Sequence, residues 1–94
     1  MKRITLKDGN DYVSDVVNQI NEKGIERGEK FMIRFKSGFR WKLKTFRLTE
    51  MYHDHCGSCG DYTVLELKKG EEFIEIDNHF GPSYLLPKLR NLKK

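Results

Sequence analysis

Two cysteines and two of the three histidines crowd into one short stretch, His53-Asp54-His55-Cys56-Gly57-Ser58-Cys59. Thiolates three positions apart, with imidazoles beside them, are the donor types of a tetrahedral zinc site. Cys56 and Cys59 supply two of the four ligands that a closed structural site needs, and the candidates for the other pair are His53 or His55, and His79. His79 serves if the end of the last expected strand lies beside this loop, and a second copy of the chain is another source. Redox exchange by a Cys-x-x-Cys pair calls for a βαβ setting that the surrounding pattern lacks. A nucleophilic cysteine calls for an orienting group and an oxyanion site, and neither can be named. The sequence has no phosphate-cradling glycine loop, no dinucleotide fingerprint and no carboxylate pair spaced for acid–base work. The expectation is a chain that binds rather than catalyses, with zinc or no cofactor at all.

The five residues Cys56-Gly57-Ser58-Cys59-Gly60 resemble one half of a zinc knuckle, in which glycines let backbone amides turn toward the sulfurs. The resemblance implies two thiolate ligands and says nothing of the other pair. No second Cys-x-x-Cys exists in the chain.

The other chemistry written in the sequence is charge. The net charge is +4, but its distribution is blocky. From Arg27 to Arg47 the only acid among the basic residues is Glu29; from Leu48 to Phe80 only Lys68 and Lys69 oppose the acids. The basic block contains two strand-like segments, Lys30–Phe35 and Phe39–Lys44. Joined by a three-residue loop Lys36-Ser37-Gly38, they pair Phe35 with Phe39, Ile33 with Trp41 and Phe31 with Leu43. That register puts the rings on one face and Lys30, Arg34, Arg40, Lys42 and Lys44 on the other. A two-residue loop that sets Phe35 opposite Arg40 mixes the two faces. Like charges directly opposite in a sheet destabilise it, so an anionic partner or neighbouring acids should compensate them.

Strand Tyr62–Leu67, paired so that Lys44 meets Glu66, supplies part of that compensation. Arg34, Lys36, Arg40 and Lys42 near the hairpin tip are then the candidate anion-binding residues. Because the rings in this register face the core, phosphate contacts without base stacking are the form that nucleic-acid binding would take. The same register gathers Phe46, Leu48, Tyr62 and Val64 on the outer face, a candidate partner or homodimer patch.

The elements that must position these groups follow from periodicity. Arg3-Ile4-Thr5-Leu6 reads as a short strand. Val13, Val16, Val17 and Ile20 form one helical stripe, with Asn10 as the expected cap and Gly24-Ile25 as the stop. Four strands follow, with Lys69-Gly70 as the last turn and the polar stretch 52–61 as a loop. The expected fold is α+β: a short N-terminal strand, then one helix packed on a four-stranded antiparallel meander, ending in an irregular Pro/Leu-rich C-terminal segment. All 94 residues fit one small domain. No apolar run approaches a membrane span and no signal-peptide core follows the basic N-terminus, so the expectation is a cytoplasmic protein with no membrane partner.

Two functions compete at this stage. The first is a small basic binding module for an anionic partner: nucleic acid, a nucleotide-like ligand or an acidic protein surface. The second is a protein-interaction or inhibitor module, of the kind encoded by phages and mobile elements, docking through the apolar patch and the Cys/His loop.

Overall fold

The computed structural model describes residues 1–58 and 60–92. The elements in chain order are β1 (Arg3–Leu6), α1 (Val13–Glu22), β2 (Lys30–Ser37), β3 (Arg40–Cys56), β4 (Gly60–Lys69), β5 (Glu72–Asp77) and α2 (Leu86–Arg90). The α+β class holds. The sheet, however, is five-stranded and mixed, in the order β1-β2-β3-β4-β5, because β1 lies parallel to β2. A parallel pair needs a crossover connection, and α1 provides it. The C-terminal segment is not wholly irregular: it carries the short α2, with Pro87 in the first helical turn, where a missing N–H costs nothing.

Helix α1 buries Val13, Val16, Val17 and Ile20, the stripe read from the sequence. It stops as expected: Gly24 takes φ +66°, and the Ile25 N–H reaches back to the Ile20 carbonyl at 3.1 Å. Its start differs. The cap position is Tyr12, without a side-chain bond, while Asn10 instead accepts the Lys7 N–H. Asp11, 5% exposed, does something else: its carboxylate accepts the Leu86 N–H at 3.1 Å and its carbonyl the Leu85 N–H at 2.9 Å. This clamp ties the C-terminal segment to the helix start and lets Leu85, Leu86 and Leu89 join the core.

The first hairpin corrects the predicted register. Its loop is Gly38-Phe39, so Ser37 pairs with Arg40, Lys36 with Trp41, Phe35 with Lys42, Arg34 with Leu43 and Ile33 with Lys44. Gly38 has φ +65° and Phe39 a negative φ, the pattern of a type II′ turn, whose twist matches the flanking strands. Apolar matching fails as a guide here because β1 covers β2 only as far as Phe35, and β4 begins beside β3 only at Arg47. Beyond those points the hairpin projects from the sheet, and no buried face dictates which side chains turn inward.

The second correction concerns β3. Phe46 and Leu48 lie in the core, 1% and 0% exposed, and are not an outer patch. Lys44 does not meet Glu66; the observed pairs are Arg47 with Lys68, Leu48 with Leu67 and, after a register shift at Thr49, Glu50 with Glu66. That extra residue is a β-bulge, which sharpens the local twist and bend. Seventeen residues of flat strand would span about 54 Å, longer than the molecule's 41 Å long axis, so β3 must coil. The polar stretch after the bulge continues as strand to Cys56. Phe31, Phe35 and Phe46 are the largest buried side chains, each stabilising the fold by about 1.5–3 kcal/mol through burial.

Candidate functional site

Both helices contribute to a single core cluster on one side of the sheet. Among the described residues no helix covers the other side, the open face. Strand alternation fixes its occupants. Since Phe31, Ile33 and Phe35 point to the core, Met32, Arg34 and Lys36 of β2 point to the open face, and their partners Thr45, Leu43 and Trp41 share it. Arg3 and Thr5 extend it across β1. Arg47, Lys68 and Phe73 extend it across β4 and β5.

Three features of this half of the face bear on binding. Trp41 is 42% exposed, Leu43 47% and Phe73 58%, while Phe39 at the turn is almost fully exposed. The Arg34 guanidinium carbon sits 3.9 Å from the Trp41 ring centroid, a stacked cation–π pair, and the Lys68 ammonium lies 5.3 Å from the Phe73 centroid. Finally, Lys30, Arg47 and Lys68 stand directly opposite one another on three adjacent strands, a row of like charge that the sheet itself disfavours. The hairpin carrying these groups is braced from the helical side: Arg90 of α2 donates to the Lys36 carbonyl at 2.9 and 3.1 Å and to Asp8 at 3.3 Å.

Past the Thr49 bulge the open face changes sign. Glu50, Glu66 and Glu75 form a row across β3, β4 and β5. Glu50 is offset by Arg27 at 3.5 Å, and Glu66 accepts the Thr49 hydroxyl at 3.1 Å. Further along, the Tyr62 hydroxyl donates to Asp54 at 3.2 Å. Burial, followed by that hydrogen bond and the Asp54 charge, raises the Tyr62 phenol above its ordinary range. His79 stacks on Tyr62 at 4.1 Å between centroids.

Arg34 and Lys36 lie on the open face. Arg40 and Lys42 lie on the reverse face, exposed beyond the helices, so the four are not one cluster. Tyr62 and Val64 lie on the open face, with Val64 buried among its neighbours; Phe46 and Leu48 lie on the other side, inside the core. The metal-donor candidates are also divided by alternation. His53 and His55 share one face, where His53 bonds Thr63 and His55 bonds Asp61, each at 2.8 Å. Cys56 alternates to the other face, on the side where His79 meets Tyr62. Among the described residues no group of three or more His, Cys, Asp or Glu is gathered for a metal ion, and Cys59 lies outside the described residues.

Trp41 and Leu43 were not legible as surface residues. Their apolar character argued for burial, and only the two-residue loop, read from Gly38-Phe39 as a type II′ turn, could have placed Trp41 and Leu43 outside. Comparison of the chain with protein-family models, with curated proteins and with solved structures found no match to any of them.

Proposed function

We propose that this protein is a non-enzymatic binding module that takes a single-stranded nucleic acid on the tip half of its open sheet face. The observation that carries the reading is the Arg34–Trp41 pair: an indole 42% exposed, with the guanidinium carbon 3.9 Å from its ring centroid, on a face flanked by cations. Bases of any identity stack on aromatic rings and on arginine planes, and each stacked base is worth about 1–3 kcal/mol. Lys36, Arg47 and Lys68 supply the positive charge that backbone phosphates require. The acidic row Glu50–Glu66–Glu75 borders the same face and repels a polyanion, which confines the strand to the basic half of the face. With stacking and phosphate contacts as its two sources of affinity, the module is tolerant of sequence.

The test is fluorescence anisotropy with labelled oligo(dT) and oligo(rU) and with a duplex of matching length. Both single strands are expected to bind more tightly than the duplex, with affinity falling steeply as salt rises. Trp41→Ala is expected to weaken binding about 5- to 150-fold, the equivalent of one stacked base. Salt-insensitive capture of a protein, with no oligonucleotide binding, would instead favour a protein-docking role for the exposed Phe39, Leu43 and Phe73.

A further inference from the structure

The sheet has a step in it. Strand β4 ends at Lys69, while β3 continues past it to Arg40, and the step leaves a cleft of about 660 Å³. Among the described residues five cations line this cleft, Lys30, Lys44, Arg47, Lys68 and Lys69, and no acidic residue does. Its inner wall is the edge of β3. The Leu48 N–H and C=O are engaged by Glu29 and Gly28 on the β2 side. Alternation along an antiparallel strand therefore turns the main-chain groups of the odd residues the other way. Arg47 uses its own against Lys68. Those of Leu43 and Thr45 face the cleft, where no strand lies beside them among the described residues.

We infer that this step is a phosphate-binding site, in which Lys30, Arg47, Lys68 and Lys69 surround an anion that also accepts a main-chain N–H group, of Leu43 or of Thr45, from the edge of β3. Fixed N–H donors and convergent cations are the two elements from which phosphate sites are built. A carboxylate-bearing strand would satisfy the edge as well, but the cleft offers width and charge on both faces of the sheet, which suits a tetrahedral polyanion. The charge is concentrated enough to act on its own members: burial, and then the ammonium groups of Lys69 and Lys42, hold Lys44 below its ordinary range. The site deepens the nucleic-acid reading and rests on it for the source of the phosphate. It includes Leu43, two residues from Trp41 along β3, so a strand stacked on Trp41 can lead its backbone over the step.

The shared chemistry is the phosphate group, and two probes separate its sources: inorganic tripolyphosphate and a ten-nucleotide oligo(dT). Each is titrated into the ¹⁵N-labelled protein, and oligo(dT) affinity is measured against salt for the wild type, K68Q/K69Q and the charge-preserving K68R/K69R. Both probes are expected to shift the Leu43 and Thr45 amides to saturation. K68Q/K69Q is expected to lower the salt slope by about 1.4, two single-strand phosphate contacts, while K68R/K69R keeps it. If oligo(dT) binds the wild type and K68Q/K69Q with the same slope, and the two amides do not move, the phosphate site is overturned and the stacking face stands. If tripolyphosphate saturates those amides but oligo(dT) does not bind, the site stands as one for a free oligophosphate and the nucleic-acid reading falls. If oligo(dT) does not bind and neither probe moves the amides, both are overturned.

Discussion

The two hairpins built on β3 share a strand and differ in nearly everything they present. Before Thr49 the odd residues of β3 face outward, and the open face reads Trp41, Leu43, Thr45, Arg47. After Thr49 the even residues do, and it reads Glu50, Tyr52, Asp54. A single extra residue makes the change. Without the bulge, alternation would carry Met51, His53 and His55 onto the open face and turn Glu50 toward the core. The sign change across the face, a cationic and aromatic end against an acidic one, is thus a consequence of backbone register as much as of composition. A one-residue shift in a strand exchanges its faces completely, and this molecule uses that to keep two incompatible surfaces on one strand.

The contrast can be attacked first at its base. Phe46 and Trp41 sit on opposite faces of the same strand, so truncating them should have opposite consequences. Phe46→Ala is expected to cost about 3–5 kcal/mol of stability, read by urea denaturation, whereas Trp41→Ala should cost far less and act on binding instead. Equal losses from the two would return Phe46 to the surface and undo the register.

Next in size is the binding contrast. Arg34→Glu removes the cation stacked on Trp41 and puts a carboxylate in its place, with an expected loss of at least tenfold in oligonucleotide affinity. Arg40→Glu, on the reverse face, is expected to lose only what a distant charge contributes, a difference that shrinks further as salt screens it. Anisotropy at two salt concentrations separates the two, and identical losses would mean that the open face is not where the strand lies.

The acidic row offers a gain rather than a loss. Glu66→Gln and Glu75→Gln together remove two like charges from the border of the basic half, and affinity at low salt is expected to rise a few-fold. No rise would show that the acids do not limit the strand's path.

The smallest effect is on pH. Because the Lys44 ammonium is held below its ordinary range, by burial first and then by Lys69 and Lys42, the folded state binds that proton less tightly than the unfolded chain. Stability from this group is therefore lowest while it is charged in both states. It rises with pH through the window between its lowered value and that of an ordinary lysine. Lys44→Gln is expected to raise stability slightly at neutral pH, within the roughly 0.5 kcal/mol usual for surface changes. That advantage should fade in alkaline solution, as urea midpoints at several pH values would show.

Much of this was written locally and could be read locally. The Val13–Ile20 stripe with its Gly24-Ile25 stop, the strand at Arg3–Leu6 and the separation of basic from acidic blocks need only neighbours in sequence. The geometry of the candidate site was half legible: Arg34 and Lys36 do share a face, but Arg40 and Lys42, grouped with them, are sent by alternation to the other. Trp41 and Leu43 were misplaced because matching apolar residues across a hairpin presumes a buried face on which they meet. The projecting tip has none. The polar stretch 52–56 was misread as a loop because its side chains lack strand-like hydropathy, yet its backbone is held by β4 across the hairpin.

What the sequence determined by itself was therefore short-range: the helix, its end, the places where the chain turns, and the charge of each segment. Periodicity and backbone preference act over a few residues and need no third body. Three things were decided only in three dimensions: the parallel docking of β1 on β2, the Asp11 clamp that draws the C-terminal leucines into the core, and the bulge at Thr49. Each depends on groups far apart in sequence reaching one place. The open face takes its chemistry from the same source, since which alternate residues of β3 meet solvent depends on how far the helices, β1 and β4 extend beside it.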